Sequence, residues 1–183
     1  MPPFDTLLVL DLDETLIFAD EAPMPGAEFE VGPYKAVRRP GLAAFLTGCL
    51  DTFAVGIWTS SSPDYASAVV RHLVPRDRLV FLWARDRCTR RFDPETHEHS
   101  HLKDIKKLRQ FGFARERIVF VDDTPAKIAR SYGNLVRVRP FEGDMTDREL
   151  PLLLGYLRTL AAVPDVRRVD KRGWWNREPP SPD

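Results

Sequence analysis

Long apolar runs are missing from this sequence. Nothing in it approaches the roughly 18 consecutive apolar residues of a membrane span. The N-terminus lacks a basic segment followed by an apolar one, so no cleaved secretory signal is expected. Cysteine is scarce. Cys49 and Cys88 stand far apart, which excludes a disulfide framework and a paired-cysteine zinc motif. Net charge is absent too: Lys and Arg number 27 and Asp and Glu 27. That balance argues against a general polyanion binder and leaves room only for a local basic patch. No internal repeat is found. These absences point to a reduced, soluble, cytoplasmic protein with no membrane partner. At 183 residues the chain is the size of one domain with a small insert, and a hydrophobic fraction of 43% suffices for a core.

What the chain does carry is a short apolar run, Leu7 to Leu10, leading into Asp11-Leu12-Asp13-Glu14-Thr15-Leu16. The run is too short for a helix and reads as a strand buried on both faces, as in a parallel sheet. Asp11 then sits at its carboxyl end, where open α/β sheets bind ligands. Two acids in such a place need a cation, a proton donor, or both. An exposed polar loop after a strand is the plainer alternative. Two further strands end in polar clusters. Phe53 to Trp58 leads into Thr59-Ser60-Ser61-Ser62-Pro63, with Ser62 as N-cap and Pro63 opening a helix to about Leu73. Ile118 to Val121 leads into Asp122-Asp123-Thr124-Pro125, ahead of a second proline-started helix that stops near Gly133.

The remaining pattern fills in the layers. A small hairpin is predicted from Glu28 to Arg38, then a helix through Leu50 with Leu42, Phe45 and Leu46 on one face. A strand covers Arg78 to Ala84. The very polar stretch from Arg85 to His101 reads as an insert. A helix is predicted over Leu102 to Phe111, striped by Leu102, Ile105 and Leu108 and ended by Gly112. A short strand from Leu135 to Val138 and an amphipathic helix from Asp147 to Val163, capped by Asp147, complete the domain at about residue 168. Residues 169–183 read as a tail, extended or partly disordered. Strands alternating with helices predict an α/β domain with a mostly parallel sheet, which brings Asp11/Asp13, Thr59/Ser60 and Asp122/Asp123 to one edge.

Three or four carboxylates at one point suit a hard divalent cation that takes oxygen ligands, best Mg²⁺. A cation with open positions wants an anionic oxygen, and phosphate fits. Thr59, the amides after it and a lysine such as Lys103 suit the remaining phosphate oxygens. One carboxylate is then free to attack phosphorus, and another, two residues on, to move protons.

In order, Asp11-Leu12-Asp13-Glu14-Thr15-Leu16, Thr59, Lys103 and Val121-Asp122-Asp123-Thr124-Pro125 resemble the four motifs of the haloacid dehalogenase superfamily. Arg39-Pro40-Gly41, Trp58-Thr59-Ser60, Leu102-Lys103-Asp104-Ile105 and Met145 to Leu150 are similar to its small RNA polymerase II carboxy-terminal-domain phosphatase branch. The resemblance runs from about residue 5 to 168. It implies a Rossmann-like fold with a β-hairpin and a β insert but no large cap domain. It implies Asp11 as nucleophile and Mg²⁺ ligand, and Asp13 as general acid and base whose backbone carbonyl also touches the metal. Thr59 and Lys103 would bind phosphate, with Ser60 beside them. Asp123 would be the third metal ligand, Asp122 would orient Lys103 or a metal water, and Thr15 would support the loop. The implied reaction is hydrolysis of a phosphomonoester through a phosphoaspartate, with phosphoserine or phosphothreonine peptides as substrates. A small-molecule or nucleic-acid-end phosphatase is the alternative. A receiver-like phosphoacceptor orders its acids and lysine differently, and a bare binding module would not need every catalytic position filled.

Other residues carry plainer readings beside sharper ones. His97, His99 and His101 alternate and read as a solvated or substrate-contacting loop ahead of a second metal site. Arg38-Arg39, Arg85, Arg87 and Arg90-Arg91 read as a solvated face or as a basic rim for substrate. Trp58 and Trp83 read as core, and Trp174-Trp175 as a cap on an exposed edge or a partner contact.

Overall fold

The computed structural model describes residues 4–93 and 97–176. In chain order its strands are β1 (Leu7–Leu10), β2 (Ile17–Asp20), β3 (Phe29–Val31), β4 (Tyr34–Arg38), β5 (Ala54–Trp58), β6 (Phe81–Trp83), β7 (Thr89–Asp93), β8 (Glu98–Leu102), β9 (Ile118–Asp122) and β10 (Leu135–Arg137). Its α-helices are α1 (Leu42–Thr52), α2 (Pro63–Val70) and α3 (Glu149–Ala161). Five strands form one parallel sheet in the order β10-β9-β1-β5-β6. The chain leaves β1 toward β5 and β6, then crosses back to β9 and β10. The order therefore reverses between β1 and β9, and the crevice above that reversal is where such sheets bind ligands. Asp11 follows β1 directly and its amide donates to Val121 O at 2.9 Å, so the two strand ends stay in register at the crevice.

The sheet is buried on both faces, as the apolar runs require. Leu8 and Leu10 of β1 join the core formed with α1, α2 and α3. Leu7 and Val9 face the other way, into an aromatic-rich core with Trp58, Phe81, Trp83 and Phe120. Trp58 and Trp83 pack edge to face there, 4.9 Å between centroids. This second face is covered by two 3₁₀ segments, Ile105–Phe111 and Pro125–Asn134, through Ile105, Leu108 and Ile128.

Several expectations need revision. The helix predicted over Leu102 to Phe111 is not an α-helix. Leu102 ends β8, Asp104 caps Lys106 N at 3.0 Å, and a 3₁₀ segment follows. The i, i+3 spacing of Leu102, Ile105 and Leu108 serves either helix type. The hairpin of β3 and β4 gains a third strand, β2, which pairs antiparallel with β4 from Ile17↔Arg38 to Asp20↔Lys35. The strand expected from Arg78 shortens to Phe81–Trp83, because Arg76–Arg78 turns as a 3₁₀ segment. The polar insert contains its own antiparallel hairpin, β7 with β8. α2 begins as expected, with Ser62 Oγ accepting from Tyr65 N.

Arg39 does not belong to a basic rim. Its side chain is fully enclosed and grips Asp147 with Nε at 3.0 Å and Nη2 at 2.7 Å. Its Nη1 donates to Thr15 O at 3.2 Å, which ties the loop after β1 to the start of α3. Asp147 Oδ1 also accepts from Glu149 N at 2.8 Å, so it serves α3 from one residue before Arg148, the N-cap position. The expected tail is described as far as residue 176. Trp174 is buried, and its Nε1 donates to Arg137 O of edge strand β10 at 2.7 Å. Residues 177–183, and 94–96 of the insert, lie outside the described residues. No helix among the described residues is long and apolar enough to cross a membrane.

Gly56 lies in β5 under Phe81 of β6, and a Cβ at position 56 would run into the Phe81 ring. Both residues are walled in by the core. Gly56→Ala should therefore cost about 1–3 kcal/mol, read as a lowered midpoint in urea unfolding. An unchanged midpoint would show that this sheet edge has slack.

Candidate active site

Three strand ends supply the site. Asp11 and Asp13 follow β1, Thr59 follows β5, and Asp122 ends β9 with Asp123 next to it. Lys103 enters from the end of β8. Its amide donates to Lys127 O at 2.8 Å, so the segments bearing the two lysines are joined. Asp11, Lys103 and Asp122 are enclosed, each side chain 1% exposed. Lys103 Nζ donates to Asp11 Oδ1 at 2.7 Å and to Asp122 Oδ2 at 2.6 Å. Lys127 Nζ donates to the other Asp11 oxygen, Oδ2, at 3.1 Å.

Electrostatics follow from this geometry. Burial pushes the Asp11 carboxyl up, but Lys103 and Lys127 outweigh it and its pKa lies below the ordinary value. Asp122 goes the other way: burial first, and the Asp11 charge second, push it up to about 6. Both lysines are raised, because their carboxylates outweigh the burial that opposes their charge. Asp11 is thus kept as an anion inside the protein by two ammonium groups.

Asp13 points elsewhere. Its Oδ1 accepts from Tyr65 OH at 2.6 Å and its Oδ2 from Ser61 Oγ at 2.8 Å, with Thr59 Oγ1 at 3.4 Å. Its carboxylate is held by hydroxyls, apart from the Asp11, Asp122 and Asp123 cluster. Thr59 Oγ1 accepts from Ser61 N at 3.0 Å. Ser60 offers a carbonyl, which accepts from Arg85 Nε at 2.7 Å. Thr15 gives its carbonyl to Arg39, while its buried hydroxyl has no hydrogen-bond partner.

Ser61, Tyr65 and Lys127 were not singled out in the sequence. Two carried a signal. Tyr65 and Lys127 lie in the first turns after Pro63 and Pro125, and helical side chains lean back toward the N-terminus and so toward the strand ends.

Asp11, Asp122 and Asp123 each offer a carboxylate oxygen, all within 4.8 Å of one another. Asp123 Oδ1 is buried and has no hydrogen-bond partner, although its other oxygen accepts from Thr124 Oγ1 at 2.9 Å. Asp122 is already engaged by Lys103 and by Thr124 N at 2.9 Å. An all-oxygen set with one orphaned acceptor fits a hard divalent cation. Among the described residues no His or Cys belongs to such a group; His97 and His99 are exposed on the β7–β8 hairpin.

The fold and this edge of acids define a haloacid dehalogenase-type α/β domain. The fission yeast RNA polymerase II CTD phosphatase Fcp1 bound to beryllium fluoride superposes with a TM-score of 0.58 at 22% identity, over 75% of this chain and 42% of that one. A haloacid dehalogenase-like hydrolase from Xanthomonas campestris superposes at 0.54 and 12% identity, over 86% and 96%.

The model of the NLI interacting factor-like phosphatases matches residues 6–167, and the chain belongs to that family. It is 30% identical over 168 residues to CTD small phosphatase-like protein 2 of Dictyostelium discoideum, covering 87% of this chain and 28% of that protein. It is 28% identical over 170 residues to the human carboxy-terminal domain RNA polymerase II polypeptide A small phosphatase 1, covering 88% and 62%. The chain therefore spans less than two thirds of either relative.

Lys103 is the enclosed cation between two enclosed carboxylates. Lys103→Met should cost about 3–5 kcal/mol, because it takes the buried Asp122 from its counter-ion and leaves Asp11 with Lys127 alone. Urea unfolding in the presence of a chelator measures this. A loss below about 1 kcal/mol, the scale of an exposed pair, would contradict it.

Proposed function

We propose that this domain is a Mg²⁺-dependent phosphomonoester hydrolase working through phospho-Asp11, with phosphoserine or phosphothreonine peptides as substrates. The observation that carries the reading is the pairing at β1. Asp11 is an enclosed anion flanked by two ammonium groups, and Asp13, two residues on, is held separately by hydroxyls. One carboxylate is set up to attack and the other to move protons.

The steps balance with these groups. An Asp11 oxygen attacks phosphorus and the bond from phosphorus to the serine oxygen breaks. Asp13, protonated, gives its proton to that leaving oxygen. Asp13 then takes a proton from water, whose oxygen attacks the phosphorus of phospho-Asp11. Phosphate leaves, the Asp11 carboxylate is restored, and Asp13 is protonated again. Lys103 neutralises phosphoryl oxygens, with Thr59 and the amides after it as further donors. Asp11, Asp123 and the Asp13 carbonyl would hold Mg²⁺, with Asp122 turned to Lys103. The cation supplies charge neutralisation to the phosphoryl group.

The substrate class rests on two supports. The elements beside the site are small: the β2-β4-β3 sheet, which presents Tyr34 against Tyr65 at 5.4 Å between centroids, and the β7–β8 hairpin, which runs into Lys103. No lid domain stands over Asp13 among the described residues, so an extended chain has access. The relatives' names add the second support, since they refer to the RNA polymerase II carboxy-terminal domain.

Phosphate release from para-nitrophenyl phosphate should require Mg²⁺ and stop with chelator. Asp11→Asn should bring release to background in a chain that still folds. Asp13→Asn should slow turnover by about 10²–10⁴-fold, the range for a lost general acid–base group. Full activity in either variant would remove that residue's role, and release that ignores chelator would remove the metal.

A further inference from the structure

The two lysines of the site divide the carboxylate oxygens between them. Lys103 takes Asp11 Oδ1 and Asp122 Oδ2. Lys127 faces the oxygens that are left: Asp11 Oδ2 at 3.1 Å, Asp123 Oδ1 at 3.8 Å and Asp122 Oδ1 at 3.9 Å. Only the first is a hydrogen bond; the other two are charge contacts. The ammonium thus sits among one oxygen from each of three acids, including Asp123 Oδ1, which no hydrogen bond satisfies. These are also the three acids that each offer an oxygen within 4.8 Å of the others.

We infer that Lys127 is an exchangeable counter-cation: its ammonium holds the metal position in the metal-free protein, and Mg²⁺ binds by displacing it. The inference rests on the proposed reading of Asp11 and Asp123 as ligands of that cation, with Asp122 turned to Lys103. Two observations separate this lysine from Lys103. The Lys103 side chain is 1% exposed and has nowhere to go, whereas Lys127 is 22% exposed and opens to solvent. The Lys127 backbone is fixed, because its carbonyl accepts from Lys103 N at 2.8 Å. Its side chain can leave by rotation while the segment and Lys103 stay in place.

Charge and space oppose sharing. Mg²⁺ draws its oxygens to about 2.1 Å, and an ammonium among the same oxygens would meet the ion at close range with like charge. The protein therefore carries its own competitor. Three clustered carboxylates stay neutralised when metal is scarce, and metal affinity is lower than the carboxylates alone would give, because binding must first free the position.

Magnesium titration calorimetry on the full chain tests this directly, comparing wild type with Lys127→Met and with Lys127→Gln. Both variants should bind Mg²⁺ about tenfold or more tightly. In chelator they should melt below wild type, and Mg²⁺ should raise their melting points by more than it raises that of wild type. A variant that folds only with Mg²⁺ present supports the same conclusion. A test on wild type needs no substitution: acetylation of the Lys127 amine, followed by mass spectrometry, should rise when Mg²⁺ is added. Equal or weaker Mg²⁺ binding in the variants, or acetylation of Lys127 unchanged by Mg²⁺, would overturn the lysine's role. Failure of every protein to bind Mg²⁺ would overturn the cation-site reading beneath it.

Discussion

Enclosed negative charge is the constraint this structure is built around. Asp11 and Asp122 stand at the ends of neighbouring parallel strands with their side chains 1% exposed. Left alone, two such carboxylates would protonate or open the sheet to water. Lys103, equally enclosed, sits between them at 2.7 and 2.6 Å, and Lys127 stands at the solvent side. The charge that would make Asp11 a nucleophile is thus stored in the fold by its own counter-ions. A pair like this need not add net stability compared with an apolar core. On the proposed reading, its value is a charged oxygen held ready inside the protein for phosphorus.

The rest of the architecture keeps that oxygen in place. The reversal of strand order puts β1 and β9 side by side, so two acids from distant parts of the chain share one crevice. Two cores, one on each sheet face, fix the strand ends. Arg39 reaches from the end of β4 to hold Thr15 O and Asp147 at once, which anchors the turn carrying Asp13 to the start of α3. A small antiparallel sheet and a hairpin grow from the same edge. On the proposed reading, a peptide lies beside them.

Much of this was legible in the sequence because it rests on local pattern. Four- and five-residue apolar runs read as strands buried on both faces, as in a parallel sheet, and each ends in a polar cluster whose spacing is visible. Asp11, Asp122 and Asp123 could be named for that reason, Lys103 came from the family resemblance, and the structure gathers all four. Ser62 and Pro63 are capping chemistry and need no tertiary context. What escaped depends on distant partners. Ile17–Asp20 is only half buried and becomes a strand because β4 pairs with it. Arg39 sits in an arginine-rich run that reads as solvated, and only Asp147, more than a hundred residues away, draws it inside. Lys127 was not singled out, because its partners Asp11, Asp122 and Asp123 gather around it only in the fold. Ser61, a partner of Asp13, is a common residue ahead of a helix, and nothing local marks where its hydroxyl points.

The claim that ties these parts together is that Asp11 itself takes the phosphoryl group. It is tested most directly by rapid acid quench during turnover of a phosphopeptide with a radiolabelled phosphate, followed by mapping of the protein-bound label. Label is expected on the peptide that contains Asp11, released by hydroxylamine as an acyl phosphate is. Label on another residue, or turnover with no labelled protein at any quench time, would contradict it.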